Sequence, residues 1–179
     1  MKAGTGTMVW IDCEMTGLDP EQDHLLEIAV VITSNNINKI LETLELVIHQ
    51  PDDILDNMNS WCIEHHGESG LTKKVRESDI SLEQAEQLII ELILRACDQN
   101  HKPLIAGNTV HADLAFLKKY MPNMVKLLHY RIIDVSSIKE LMWKWLPNTA
   151  RKAPAMDDIL ESIEELKYYK KKLFSNVKD

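Results

Sequence analysis

Three apolar segments crowd the first fifty residues, and their spacing limits the fold more than any other feature of the chain. Met8 to Glu14 (MVWIDCE) reads as a short buried strand, stopped by the turn-rich Thr16-Gly17-Leu18-Asp19-Pro20. Leu25 to Thr33 and Ile37 to His49 are rich in β-branched residues and are parted only by Ser34-Asn35-Asn36, a hairpin signal that makes them antiparallel. Behind them the pattern changes period. Ser81 and Gln84 form a capping box, followed by Leu82, Ala85, Leu88, Ile89, Leu92, Ile93 and Ala96 at helical spacing. Pro103 to Gly107 is a short strand, then a helix runs through Phe116 and Tyr120 and stops before Pro122. Arg131 to Val135 is a further strand, and helices follow from about Ser136 to Trp145 and from near Asp157, the last turning Ile159, Ile163, Leu166 and Leu173 inward. Strands first, then alternating helices and strands, predict an α/β fold: a mixed sheet with an antiparallel hairpin at one side and parallel strands beyond, flanked by helices.

The 179 residues are 45% hydrophobic and 27% charged, ordinary globular usage that excludes disordered and fibrous classes. Without repeats or linkers, 8–179 reads as one domain behind a flexible leader, 1–7, that lacks the apolar core of a signal peptide. No apolar run approaches the roughly 20 residues of a membrane helix. Cys13, Cys62 and Cys97 are widely spaced, which predicts free structural thiols in a reducing compartment, cytoplasmic by default and mitochondrial as the other option. The net charge of -8 argues against a long nucleic-acid groove, since such grooves neutralise many phosphates, but it leaves short nucleotides open.

Four acidic residues do not behave like surface charge. Asp12 and Glu14 are i and i+2 in a strand, so they project from one face about 7 Å apart, at its C-terminal end. Asp113 lies where the strand at Gly107 hands over to a helix, and Asp157-Asp158 open the last helix. Singly, each has a bland explanation as a strand end or a helix-start acid favoured by the dipole. Together they fall at ends that a layered sheet brings into register. Close carboxylates repel unless a cation lies between them, so the set suits Mg²⁺ or Mn²⁺ and two-metal cleavage of a phosphodiester.

The segments Ile11-Asp12-Cys13-Glu14-Met15-Thr16-Gly17-Leu18, Gly107-Asn108-Thr109-Val110-His111-Ala112-Asp113, His129-Tyr130-Arg131-Ile132-Ile133-Asp134-Val135-Ser136 and Asp157-Asp158-Ile159 strongly resemble the oligoribonuclease family. These are DEDD, or DnaQ-like, 3′-to-5′ exonucleases of ribonuclease H-like fold, and the likeness runs from about Met8 to Phe174. Trp61 with His65-His66-Gly67 fits the same family. The resemblance implies a hydrolase that degrades very short RNA, down to dinucleotides, to mononucleotides with two divalent cations, Mg²⁺ or Mn²⁺. It assigns Asp12, Glu14, Asp113 and Asp158 to the metals. Leu18 matches a wedge between two bases and Trp61 a base-stacking ring, although a lone Trp is more often core. His66 and Thr109 match contacts to the substrate backbone. Tyr130 and Arg131 match residues that reach across a homodimer to cap the far phosphate end, with Ser136 and Ser137 beside them.

One departure stands out. The family carries a general-base His five residues before the last acid, and that position is Ala153 here; no His follows His129. The connection Pro147 to Asp157 is also short for the family. Three explanations compete: a His-bearing basic loop missing from the sequence between Pro154 and Ala155, a deletion that binds but turns over poorly, or a substitute base, His111 or His129. The spliced look of Pro154-Ala155 favours the first. The alternatives to an exoribonuclease are therefore a catalytically impaired nucleotide-binding homologue and a DNA-directed DEDD exonuclease. A purely structural domain gives no reason for four acids at converging ends.

Overall fold

The computed structural model describes residues 6–98, 100–145 and 159–173. Its five-stranded sheet has the order β3-β2-β1-β4-β5, built from β1 (Thr7–Met15), β2 (Leu25–Ser34), β3 (Ile40–Val47), β4 (Leu104–Gly107) and β5 (Ile132–Asp134). β1, β2 and β3 pair antiparallel, whereas β4 lies parallel to β1 and β5 parallel to β4. The helices are α1 (Asp52–Asp56), α2 (Ser60–Glu68), α3 (Leu71–Glu77), α4 (Leu82–Ala96), α5 (His111–Tyr120), α6 (Pro122–Val125), α7 (Val135–Trp145) and α8 (Ile159–Leu173). The mixed sheet expected from the sequence is therefore present, hairpin included.

Strand alternation sorts β1 into two cores. Val9, Ile11 and Cys13 pack with Ile89, Leu92 and Ile93 of α4 and Phe116 and Leu117 of α5. Met8 and Trp10 face the other way, onto Met142 of α7 and Ile159, Ile163 and Tyr169 of α8. The buried indole of Trp10 donates to the Thr33 hydroxyl at 3.0 Å, so its one polar atom is satisfied. A smaller cluster, Leu26 with Leu55, Met58, Cys62, Leu71 and Val75, holds α1 to α3 against β2.

Several boundaries move. Thr7, read as leader, is the first residue of β1 and pairs with Ser34. Ile37, read as strand, has φ of 61° and tucks its side chain into the core, so the hairpin loop is longer and β3 begins at Ile40. Leu88 points outward, because the buried stripe of α4 is Ala85, Ile89, Leu92 and Ile93. The capping box at Ser81 and Gln84 is present in both directions. All three cysteines are buried and not disulfide-bonded. Among the described residues no helix is long and apolar enough to cross a membrane.

The topology matters for chemistry because β1, β4 and β5 run parallel, so their C-terminal ends lie side by side. Glu14, Gly107 and Asp134 end these strands or nearly so, and α5 and α7 start just beyond the last two. A Cβ on Gly107 would sit 2.7 Å from the Ile11 carbonyl oxygen, so only glycine lets β4 approach β1 this closely at the rim.

Candidate active site

Asp12 and Glu14 line one cleft, as their i, i+2 spacing requires. The cleft, of about 600 Å³, crosses the sheet face past Glu27, Ala29, Val31, Thr43 and Glu45 to Ile159 and Leu160 at the start of α8. Glu27 stands opposite Glu14 in the β1–β2 register. Burial, then repulsion from Glu45, pushes its carboxyl above the ordinary range.

Asp113 comes from the opposite side of the sheet, in the first turn of α5, and is 5% exposed. Its Oδ1 accepts the backbone N–H of Cys13 at 3.0 Å, which fastens α5 to β1 between the two strand acids. Burial raises the Asp113 pKa to about 6, with Asp134 adding repulsion, while N–H donation from its own backbone and from Cys13 pulls the other way. The Cys13 thiol is pushed well up, first by burial and then by the Asp113 charge.

A second pocket, of about 490 Å³, shares Glu14 with the first and is lined by Met15, Gly17, Leu18, Asn59, Trp61, Cys62 and His66. Leu18 is 83% exposed and Trp61 63%, so Trp61 is not a core residue; it lies flat on His65 with ring centroids 4.6 Å apart. α2, which presents it, is capped by Asn59, whose side chain accepts the Cys62 N–H. His66 is buried. Its Nε2 donates to the Met15 carbonyl at 2.9 Å, leaving Nδ1 facing Glu14 at 3.9 Å. It therefore stands behind Glu14, a placement the sequence did not suggest.

The Leu18 loop is held by Asp23. Oδ1 of Asp23 accepts the Thr16 hydroxyl at 3.0 Å and Oδ2 the Asp19 N–H at 2.9 Å. Tyr120 of α5 donates to the Asp23 carbonyl at 2.6 Å. The carboxylate packs so closely on Gly17 that a Cβ there would lie 2.6 Å from Oδ1.

At the far side of Asp113, Thr109 and Ser136 meet, their hydroxyl oxygens 3.1 Å apart. Thr109 has φ of 52°, a left-handed backbone that costs a β-branched residue on the order of 1–3 kcal/mol. Ser137 is exposed beside them. Tyr130 and Arg131 are exposed at the start of β5, with the guanidinium 5.5 Å from the Tyr130 ring centre. His129 is engaged: Nδ1 accepts the Arg131 N–H at 3.1 Å and its ring stacks on Tyr130. His111 is exposed at the start of α5, its Nδ1 3.2 Å from Asp134 Oδ2. Of the two substitute bases named from the sequence, His111 has the freer ring.

Asp134 is the group the sequence reading missed. It ends a strand and precedes a helix, as Asp113 nearly does, and the same junction argument would have singled it out. Asp158, with Asp157, Ala153 and the connection before them, lies outside the described residues.

The donor set tests the metal expectation. Asp12, Glu14 and Asp113 offer hard carboxylate oxygens at one rim, and Asp113 is a desolvated carboxylate that a cation would relieve, which fits Mg²⁺ or Mn²⁺. Among the described residues no three His, Cys, Asp or Glu side chains already converge on one point.

Residues 9–166 match the family model described as Exonuclease. The chain is 49% identical to the protein named mitochondrial oligoribonuclease in Bos taurus, across 96% of this chain and 75% of that one. It is 53% identical to the probable oligoribonuclease of Dictyostelium discoideum (93% and 90% covered) and 44% identical to the oligoribonuclease of Chromobacterium violaceum (95% and 97%). Its fold matches product-bound exonuclease I with a TM-score of 0.71 at 16% identity, across 96% of this chain and 46% of that longer one. The nuclease domain of 3′hExo, a DEDDh family member bound to rAMP, gives 0.60 at 15% identity (95% and 92% covered). Those identities speak for the ribonuclease H-like fold alone. With relatives of that name at about half identity across nearly the whole sequence, the chain belongs to the oligoribonuclease family of exonucleases.

Proposed function

We propose that this 3′-to-5′ exoribonuclease takes RNA of two to a few nucleotides and releases mononucleotides, with Asp12, Glu14, Asp113 and Asp158 holding two divalent cations, Mg²⁺ or Mn²⁺. The observation that carries the reading is the shared wall: Glu14 lines both the acidic cleft and the pocket where Leu18 and Trp61 stand exposed. A base stacked on Trp61 or wedged by Leu18 brings its phosphodiester next to the acids. Stacking tolerates any base, which suits an enzyme that finishes mixed fragments. The bound cations would activate water and stabilise the leaving oxygen.

The chain's own groups divide the remaining work. The Cys13 N–H holds Asp113, and His66 backs Glu14 while linking it to the Met15 carbonyl. The Ser136 and Ser137 hydroxyls, with the substrate-backbone contact Thr109 beside them, take the phosphate end, joined by Tyr130 and Arg131 reaching from the second protomer of a homodimer. His111, backed by Asp134, is the base available to this chain in place of the residue at Ala153. The mammalian relatives named mitochondrial favour mitochondria, with the cytoplasm as the other site of action.

Hydrolysis of a 5′-labelled diribonucleotide with Mn²⁺ or Mg²⁺, beside an EDTA control and Asp12→Ala, tests the reading. Metal-dependent mononucleotide release, lost in the variant, supports it. A dinucleotide that binds and persists uncut points instead to the impaired homologue, a reading favoured by Ala153. Faster cleavage of a DNA dimer than of an RNA dimer would point to the DNA-directed alternative.

A further inference from the structure

We infer that Asp134 is a positioning residue that builds the phosphate-end contact, by holding Thr109 in its left-handed backbone and setting the Thr109 and Ser136 hydroxyls side by side. The inference rests on the reading of those hydroxyls as phosphate contacts. Asp134 ends β5 opposite Gly107 of β4, so its carboxylate lies between the turn that starts α5 and the turn that starts α7. Oδ1 accepts the Ser136 N–H at 3.0 Å, which makes Asp134 the N-cap of α7. The same oxygen accepts the Thr109 N–H at 3.0 Å, an N–H shared with Ser136 Oγ. α5 has no side-chain cap of its own, and Asp134 fixes the turn one residue before its N-cap, Val110.

Three facts make this more than a helix cap. First, Thr109 has an unfavourable backbone (φ 52°) at a position where glycine or asparagine would be easier, and the conformation persists because its N–H is anchored to Asp134 and Ser136. Second, that backbone brings Thr109 Oγ1 within 3.1 Å of Ser136 Oγ, and either hydroxyl can turn its hydrogen toward an incoming oxygen. Third, the carboxylate is 10% exposed and three donors share its oxygens, the third being His111 at Oδ2, so it is turned to the frame and little of it is open to a phosphate in front of the hydroxyls. Asn108 extends the frame: it accepts from Ser136 Oγ at 3.4 Å and donates to Ser162 Oγ of α8 at 2.8 Å.

The test compares a diribonucleotide bearing a 5′-phosphate with the same dinucleotide lacking it, as the ratio of kcat/KM values with Mg²⁺. Wild type should favour the phosphorylated form. Asp134→Ala should cut that advantage about tenfold, mainly through KM, the scale of one hydrogen bond to a charged group. Asp134→Asn should keep most of it, because the amide oxygen still accepts both N–H groups. Asp134→Glu, which keeps the charge but moves the acceptors, should lose it, and it decides the matter should the alanine variant fail to fold. Retention of the advantage in Asp134→Ala or Asp134→Glu while Ser136→Ala loses it overturns the role of Asp134 alone. A wild type with no phosphate advantage overturns both this role and the phosphate-end reading beneath it.

Discussion

At the scale of single residues, the site stores its tension in Asp113. A carboxylate buried at the rim favours its neutral form, and its pKa near 6 against 3.8 in an unperturbed chain makes the folded protein bind more protons than the unfolded one between those values. Stability contributed by this group therefore falls as pH rises from about 4 to 6, by up to about 3 kcal/mol. Asp113→Asn keeps an acceptor for the Cys13 N–H and removes the charge. In EDTA, thermal melts should show the variant gaining on wild type across that window and holding its gain above it; parallel curves would refute the shift. On the metal role proposed for Asp113, Mg²⁺ should stabilise wild type at pH 7 and leave the variant nearly unmoved. Asp12, Glu14 and Asp113 were legible in the sequence because they fall at strand and helix ends. The partners that hold them were not. That Cys13 offers its N–H to Asp113 a hundred residues away, or that His66 turns inward behind Glu14, depends on how α5 and α2 dock, which no local pattern encodes.

At the scale of elements, the Leu18 loop works as a preformed bracket. Asp23 closes it at Thr16 and Asp19, and Tyr120 and Lys119 tie it to α5, the helix that carries Asp113. Gly17 is the close approach that lets the carboxylate in. Gly17→Ala should push Asp23 away, free the loop and raise the KM for a dinucleotide roughly tenfold, while kcat changes little; that split separates a lost wedge from a damaged metal site. Unchanged steady-state constants would show that the bracket does not hold the substrate. Ser81→Ala gives a calibration far from the site, expected to cost about 1 kcal/mol of stability with no effect on KM. Elements with strong periodicity, such as β1, β2 and α4, were readable from spacing. α1 to α3 were not, because their buried stripes are one or two residues each, Leu55, Cys62 with His66, and Leu71 with Val75. Short helices take their stability from the Leu26 cluster rather than from their own sequence.

At the scale of the whole molecule, a net charge of -8 is hard to reconcile with a nuclease unless the substrate is small. Affinity for a long strand grows with the number of phosphates neutralised, and an acidic surface has few cations to spend on them. The described architecture suits this: the exposed apolar pair Leu18 and Trp61 and the hydroxyl pair Thr109 and Ser136 flank the acids on either side. Salt dependence reads this directly. With about two phosphates engaged, single-strand counterion release predicts that KM rises roughly sevenfold for a fourfold increase in salt. The proposal makes that slope independent of length, so a ten-nucleotide RNA should weaken by the same factor as a 5′-phosphorylated dinucleotide. A groove engaging about nine phosphates would lose several thousandfold over the same range. A slope that steepens with length would therefore show that more phosphates are engaged than two and would extend the substrate class beyond fragments of a few nucleotides.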